Sequence, residues 1–220
     1  MIGNRPKEFK NTKIGTSPEI VINFIEKHLQ FFIPDTTEYE NKDREVLLNF
    51  YLNNFFNSKV RENDLPFNFS TECPKKQSSH SEDICVLVIN NNNPFLTIEC
   101  KRLPSPQKIR EKEYLHGKHG GIERFRLNKH GIDLYGRLID INVMIGYVEN
   151  LTFDFWLNEI NNWINELSIL EKDNLNWSKN DHLFKLKSNK IFKSESSHLR
   201  ISNKYVNLIH FWIKIPTDET

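Results

Sequence analysis

The tripeptide Glu99-Cys100-Lys101 places a carboxylate and an ammonium two residues apart at the end of the apolar run Phe-Leu-Thr-Ile. The same pattern of an acid, any residue and a lysine begins at positions 8 and 40, but neither of those copies follows an apolar strand-like run. Side chains alternate along a β-strand, so the pattern predicts Glu99 and Lys101 on one face and Cys100 on the other.

A second apolar run, residues 84–89, precedes the first, and the sequence Asn-Asn-Asn-Asn-Pro lies between them. β-Branched runs on either side of turn residues predict a β-hairpin. Pairing across that turn is expected to put Cys85 opposite Glu99, and Asp83 opposite Lys101. In this register Asp83 joins the face of Glu99, whereas a shift of one residue would point it away.

Two carboxylates and a lysine on one face suit hydrolysis of a phosphodiester. Asp83 and Glu99 would bind one hard divalent cation through oxygen ligands, Mg²⁺ by preference, with Mn²⁺ as a substitute. Such a cation polarises the phosphoryl oxygen and lowers the pKa of a bound water. Lys101 would orient that water and stabilise the added charge of the transition state. The alternative is an ordinary cross-strand salt bridge between Asp83 and Lys101.

With Asp83, fifteen intervening residues and then Glu99-Cys100-Lys101, the chain resembles the PD-(D/E)xK superfamily of restriction-endonuclease-like nucleases. The resemblance covers residues 44–148, where the predicted elements follow that family's αβββαβ order. It implies an α/β fold, with a mixed central sheet flanked by helices and an extra C-terminal helix and strands. Glu82 stands where the family motif has proline.

Many nucleases of this family carry a further acid on the helix before the sheet, and Glu45 is the best match. The resemblance makes Glu45 a candidate third metal ligand. The alternative is a solvent-facing acid that interacts favourably with the positive end of the helix dipole. We expect one nuclease domain over residues 1–220, with a helical extension (1–36), a core (37–150) and a C-terminal helix and strands (151–220).

The resemblance further implies a Mg²⁺-dependent DNA endonuclease in prokaryotic antiphage defence, restriction or DNA processing. The Gln-x-x-x-Tyr pattern of exonuclease-like members is missing, so exonuclease action is not favoured. DNA is favoured over RNA as the substrate, and a protein partner or a homodimer is left open. The alternative function is a non-catalytic nucleic-acid-binding or assembly subunit with the same fold.

A basic segment follows the tripeptide and provides candidate phosphate contacts. The residues predicted to contact nucleic acid are Arg102, Lys108, Arg124 and Arg126. Several glutamates occur in the same segment, so a solvated helix of mixed charge is the alternative. Near the C-terminus, His198 is a candidate phosphate contact or general acid, whereas His210 lies in an apolar run and is expected to be a hydrogen-bonded core residue.

Hydrophobic periodicity predicts the remaining elements. The expected helices span about 18–33, 38–56, 107–115, 122–127 and 153–167, and further strands are expected near 67–69, 143–148, 198–201 and 206–215.

No run approaches the roughly 18 apolar residues of a membrane span, and the N-terminus lacks a signal peptide's apolar region. Three cysteines without CxxC spacing predict reduced thiols, no disulfide and no zinc site. These features predict a cytoplasmic protein.

Overall fold

Seven strands form one mixed sheet in the computed structural model, which describes residues 16–34, 44–71, 73, 82–117, 120–170 and 175–216. The helices are α1 (Pro18–Leu29), α2 (Arg44–Glu62), α3 (Gly121–Arg126) and α4 (Phe153–Leu170). The strands are β1 (Phe67–Ser70), β2 (Ile84–Val88), β3 (Pro94–Leu103), β4 (Ile141–Val148), β5 (Phe184–Ser188), β6 (Ile191–Leu199) and β7 (Tyr205–Lys214). Two 3₁₀ turns, Lys108–Arg110 and Lys179–Asp181, lie between these elements.

The sheet has the strand order β1-β2-β3-β4-β7-β6-β5. Strands β1 to β3 form an antiparallel meander. Strands β3, β4 and β7 run parallel to one another, and β6 and β5 add antiparallel strands at the far edge. The central strand β4 therefore has parallel neighbours on both sides, and it is buried over nearly its whole length, as expected of a strand covered on both faces.

Each face of the sheet packs against different helices. On one face, α1 and α2 bury a cluster that includes Phe24, Leu52 and Ile145. On the other face, α4 buries a second cluster with Met144 and Trp212. Alternation along β4 sends Met144 and Ile145 to opposite faces, so one strand contributes to both clusters. The predicted α/β class, with a mixed sheet flanked by helices, is confirmed.

Helix α1 begins where the sequence predicts, with Pro18 at its first position and Ser17 before it. The second predicted helix continues past Phe56 to Glu62, and its expected start near residue 38 lies outside the described residues. The helices predicted over about 122–127 and 153–167 are also present, as α3 and α4. Helix α1, within the predicted N-terminal extension, packs with α2 in the same apolar cluster.

The prediction of a helix through Leu115 is wrong. After β3 the chain forms only the short 3₁₀ turn and a series of further turns. Glu113, Tyr114 and Leu115 are consecutive and all buried, which a helix with one apolar face does not allow. The carbonyl oxygens of Glu113 and Tyr114 instead accept hydrogen bonds from the start of α3, at Gly121 and Ile122.

The C-terminal strands also differ from the prediction. Strand β6 begins at Ile191, well before the predicted start at residue 198, and it ends at Leu199. Strand β5 carries the sequence Phe-Lys-Leu-Lys-Ser, and all five residues are exposed at the sheet edge. Phe184 and Leu186 alternate with lysines, a pattern typical of a strand, and the sequence analysis did not include this short element.

Gly146 is required by the packing of Trp212 across the sheet. Lys101, Gly146 and Trp212 are neighbours in one row of β3, β4 and β7. A Cβ on Gly146 would overlap the Trp212 indole ring and lie 2.9 Å from its Nε1. Because Gly146 has no side chain, the indole ring of Trp212 can lie over β4 next to Lys101.

We expect Gly146→Ala to lower the free energy of unfolding by about 1–3 kcal/mol, because the added methyl overpacks the core. Urea denaturation of the purified protein measures this change. In a Trp212→Phe background the same substitution should cost less, because the smaller ring leaves room for the methyl. An equal cost in both backgrounds would contradict the proposed contact.

Candidate active site

The hairpin register differs by two residues from the predicted one. Cys85 pairs with Thr97, not with Glu99. The pairing changes between Val86 and Leu87, leaving Phe95 as an extra residue on β3, and such a bulge cannot be inferred from the turn composition. Because the shift is even, the predicted faces are kept, and Asp83 remains on the side of Glu99.

Asp83 lies immediately before β2, and its carboxylate is directed at β3. Its Oδ2 accepts a hydrogen bond of 2.7 Å from the backbone N–H of Cys100. Burial and the nearby charge of Glu99 raise the pKa of Asp83 well above its usual range. The carboxyls of Asp83 and Glu99 are therefore close enough to repel each other strongly.

Glu99 is 1% exposed, and three cationic or potentially cationic groups surround its carboxylate. Its Oε1 lies 2.8 Å from Lys101 Nζ and 3.1 Å from Arg124 Nη1. Its Oε2 lies 3.1 Å from His130 Nδ1. Burial by itself would raise the pKa of Glu99, but Lys101 and His130 more than reverse this effect and hold it well below the usual range. Glu99 is thus an ionised carboxylate inside the protein.

Lys101 lies inside β3, two residues before the end of the strand, and is 4% exposed. Its ammonium donates to the carbonyl oxygen of Cys100 at 2.8 Å and lies 3.3 Å from Glu45 Oε1. Burial would lower the pKa of Lys101, but Glu99, Glu45 and Asp83 raise it well above the usual range. The side chain is therefore a fixed positive charge and not a proton acceptor.

Glu45 reaches this cluster from the first turn of α2. Besides its contact with Lys101, its Oε2 accepts a hydrogen bond of 3.3 Å from the backbone N–H of Arg102. The side chain is 25% exposed, so it forms the more open side of the cluster. Helix α2 thereby brings a third carboxylate to the pair that β2 and β3 position.

The donor chemistry of this cluster suits a hard divalent cation, since Asp83, Glu99 and Glu45 all offer carboxylate oxygens. Their arrangement is not that of a closed ligand set, however. Within the described part of the chain, no three His, Cys, Asp or Glu side chains are placed so as to hold a metal ion. Lys101 and Arg124 both contact Oε1 of Glu99.

Three of the four residues predicted to contact nucleic acid have contacts with other groups of the protein. Arg102 forms a bidentate ion pair with Glu149, in which both nitrogen–oxygen distances are 2.8 Å. Arg124 contacts Glu99, as described above. Arg126 is 1% exposed and lies over the Trp177 ring at 4.2 Å. In this conformation the burial of Arg102 and Arg126 leaves neither side chain exposed to a phosphate. Lys108 is exposed, and its contact with nucleic acid stays a prediction.

A network of buried hydrogen bonds lies on the α4 side of the sheet. The sequence analysis did not predict that its residues contact one another. His198 Nδ1 lies 2.9 Å from Asp181 Oδ1, and its Nε2 lies 2.7 Å from Ser196 Oγ. Ser196 Oγ is also 2.7 Å from His210 Nε2. His210 Nδ1 lies 2.8 Å from the Tyr114 hydroxyl, which accepts a 2.9 Å hydrogen bond from Trp212 Nε1.

The ionised Asp181 at one end of this network fixes the donor and the acceptor of every hydrogen bond in it. Asp181 has a lowered pKa and only accepts, so His198 carries its proton on Nδ1 and its Nε2 accepts from the Ser196 hydroxyl. Ser196 Oγ then accepts from Nε2–H of His210, and the Tyr114 hydroxyl donates to His210 Nδ1. His210 is the hydrogen-bonded core residue that the sequence predicts, whereas His198 is fully buried and too deep to contact a phosphate.

Asp181, His198 and Ser196 have the order of contacts of a hydrolytic triad, but Ser196 is not placed as a nucleophile. The residue is 4% exposed, and its oxygen is bonded to both histidines. A cavity of about 310 Å³ adjoins β6, and Glu195, Ser196 and Ser197 are among its lining residues. Alternation along β6 puts the side chains of Glu195 and Ser197 on the face opposite the Ser196 side chain, whose hydroxyl is directed at the two histidines. The burial of Ser196 and its two hydrogen bonds therefore indicate a structural network.

Comparison of the sequence and the structure with protein-family models, curated proteins and solved structures gave no match. Among the helices that the structure describes, none combines the length and the apolar character needed to cross a bilayer.

We expect the two buried histidines to make folding stability depend on pH. Burial lowers the pKa of His210 well below 6.5, and it also lowers the pKa of His198 despite the opposing charge of Asp181. The unfolded chain therefore binds more protons than the folded protein below about pH 6.5. The free energy of unfolding should be constant with respect to these groups above about pH 7 and should fall as the pH drops towards 5.

Urea denaturation between pH 5 and 8 measures this dependence. His210→Gln removes one of the two titrating groups, so its stability should fall less steeply with decreasing pH than that of the parent protein. A slope that is unchanged in His210→Gln would contradict the assignment of His210 as a buried neutral ring.

Proposed function

We propose that the protein is a Mg²⁺-dependent nuclease of the PD-(D/E)xK type that hydrolyses phosphodiester bonds in DNA. One observation carries the proposal: three separate elements bring carboxylates to a single buried lysine. Glu45 comes from α2, Asp83 from the start of β2 and Glu99 from β3, and all three raise the pKa of Lys101. Strongly perturbed titratable groups gathered in this way are typical of functional sites.

Asp83, Glu99 and Glu45 would hold the cation, which would polarise the phosphoryl oxygen and make a bound water more acidic. Lys101 supplies a fixed positive charge beside these carboxylates. Because its amine stays protonated, it orients a water and stabilises negative charge in the transition state, and it does not remove a proton. The hydrogen bond from the Cys100 N–H keeps the Asp83 carboxylate directed at the same place.

The order of the elements also supports this proposal. Helix α2, strands β1, β2 and β3, helix α3 and strand β4 follow one another in the αβββαβ order that the family resemblance implies. Of the predicted motif residues, Asp83 lies immediately before β2, and Glu99 and Lys101 lie in the second half of β3.

In this proposal the protein cuts DNA as an endonuclease, with Mn²⁺ able to replace Mg²⁺, and it works in the cytoplasm of a prokaryote in antiphage defence or DNA processing. A protein partner or a second copy would supply further DNA contacts, because Arg102 and Arg126 are engaged inside the protein.

We expect Glu99→Gln and Lys101→Met each to reduce Mg²⁺-dependent DNA cleavage at least about 100-fold, since each removes a charge that acts on the reacting phosphate. The assay incubates purified protein with plasmid, linear and single-stranded DNA, and RNA is run in parallel. Glu166→Gln and Lys112→Met make the same chemical changes in an exposed ion pair and should leave cleavage unchanged. Full cleavage by both site variants would overturn the assignment.

The second candidate is a non-catalytic nucleic-acid-binding or assembly subunit, and the contacts of Glu99 favour it. A carboxylate already paired with Lys101, Arg124 and His130 is also what a purely structural ion-pair network contains.

Calorimetric titration with Mg²⁺ and with Mn²⁺ separates the two candidates. The nuclease should bind at one site and lose that binding in Asp83→Asn, because the variant removes a ligand charge. The structural network should bind neither ion, and such a result would leave the assembly subunit as the better description.

A further inference from the structure

Three basic side chains contact the Glu99 carboxylate. Lys101 and Arg124 share its Oε1, and His130 approaches its Oε2. Lys101 also contacts Glu45, so a cation shared by Glu99 and Glu45 would approach Oε1 and take the place of Lys101 or Arg124. Burial decides which of these groups leaves more easily.

Two of the three groups are held in place. His130 is fully buried, and its ring packs edge-on against Phe125 at a centroid distance of 5.6 Å. The ammonium of Lys101 is held by the Cys100 carbonyl oxygen and by Glu45, in addition to Glu99. Moving the Lys101 ammonium would leave a buried charge without this compensation.

Arg124 has the most exposed of the three side chains. Its side chain is 15% exposed, compared with 5% for Lys101 and none for His130. An arginine side chain is also long, so its guanidinium can leave Glu99 by rotation about side-chain bonds while the backbone stays in place.

The backbone beneath Arg124 is fixed from the other side of α3. Two residues further on, Arg126 lies 3.1 Å from Asp181 and donates to the carbonyl oxygens of Leu175 and Leu199. Asp181 in turn is held by His198. The helix therefore presents Arg124 to Glu99 from a constant position, and any displacement of the guanidinium is confined to the side chain.

We propose that Arg124 is an internal counter-ion that competes with the divalent cation for Glu99 and so sets the metal affinity of the site. The inference rests on the proposed nuclease function. Without the cation, Arg124 contacts the buried Glu99 carboxylate and balances part of its charge. When the cation binds, the guanidinium leaves Oε1 and turns towards solvent, where the phosphates of the substrate would approach.

The charges of the cluster give the direction of the effect. Three carboxylates, those of Asp83, Glu99 and Glu45, face the two permanent cations Lys101 and Arg124. Removing the charge of Arg124 makes the site more negative and frees a ligand oxygen. If Arg124 only supported the fold, its removal would loosen Glu99 and weaken metal binding. The two roles thus predict opposite changes in affinity.

The test is calorimetric titration of the whole protein with Mg²⁺ and with Mn²⁺. Arg124→Gln should bind both ions about tenfold or more tightly than the parent protein, because it removes a repulsive charge next to the cation. Arg124→Lys keeps the charge and should stay within a few-fold of the parent. Lys185→Gln removes the same charge on β5 at the far edge of the sheet, where Lys185 pairs with Asp154, and should not change the affinity.

Unchanged or weaker binding by Arg124→Gln, in a parent protein that does bind the ions, would overturn this inference and leave the nuclease proposal intact. Absence of binding in the parent protein would overturn both. Should Arg124→Gln fail to fold, ¹⁵N-labelled arginine in the parent protein gives a second measurement. The Arg124 side-chain resonance should shift on saturation with Mg²⁺, and an unchanged resonance would contradict displacement.

Discussion

The charge of Glu99 has to be balanced inside the sheet, because only 1% of the residue is exposed to water. An ion in such a place costs several kcal/mol unless close partners compensate it. Lys101 provides the nearest compensation at 2.8 Å, and Arg124 and His130 complete it. These partners come from β3 itself, from α3 and from the loop after α3. Contacts with this one carboxylate therefore connect β3, α3 and the loop after α3, so the same interactions form the candidate site and stabilise the fold around it.

Helix α3 joins this cluster to the buried hydrogen-bond chain. Although the helix has only six residues, its Arg124 faces Glu99 and its Arg126 faces Asp181. The loop that follows is held by Arg200, which donates to the carbonyl oxygens of Phe125 and His130. Buried arginines that bind backbone carbonyls replace the regular hydrogen bonding that this loop lacks. The basic segment thus stabilises the fold through the same residues whose charges suggest phosphate binding.

The sequence was sufficient to predict the hairpin and the shared face of Glu99 and Lys101, because these depend on local alternation. The approach of Glu45 was implied by the family resemblance and not by the sequence pattern alone. The sequence was not sufficient for the register, since a bulge at Phe95 leaves little trace in composition. The groups that Arg124 and Arg126 contact could not be predicted from the sequence either. An arginine that binds a carboxylate across the fold has the same sequence signature as one that binds a phosphate, so only tertiary packing separates the two.

Asp83 is the residue whose placement favours a functional cluster over a purely structural one. An ion-pair network that served stability alone would gain from pairing Glu99 with Lys101, and it would lose from a second carboxyl placed against the same pair. Burial and the charge of Glu99 raise the pKa of Asp83, which means that the folded protein makes its ionised form less favourable. Its hydrogen bond to the Cys100 N–H needs an oxygen acceptor, which an uncharged asparagine would also provide. A divalent cation would remove the repulsion between the carboxyls, so the excess of acidic groups around Lys101 supports the cation binding that we propose.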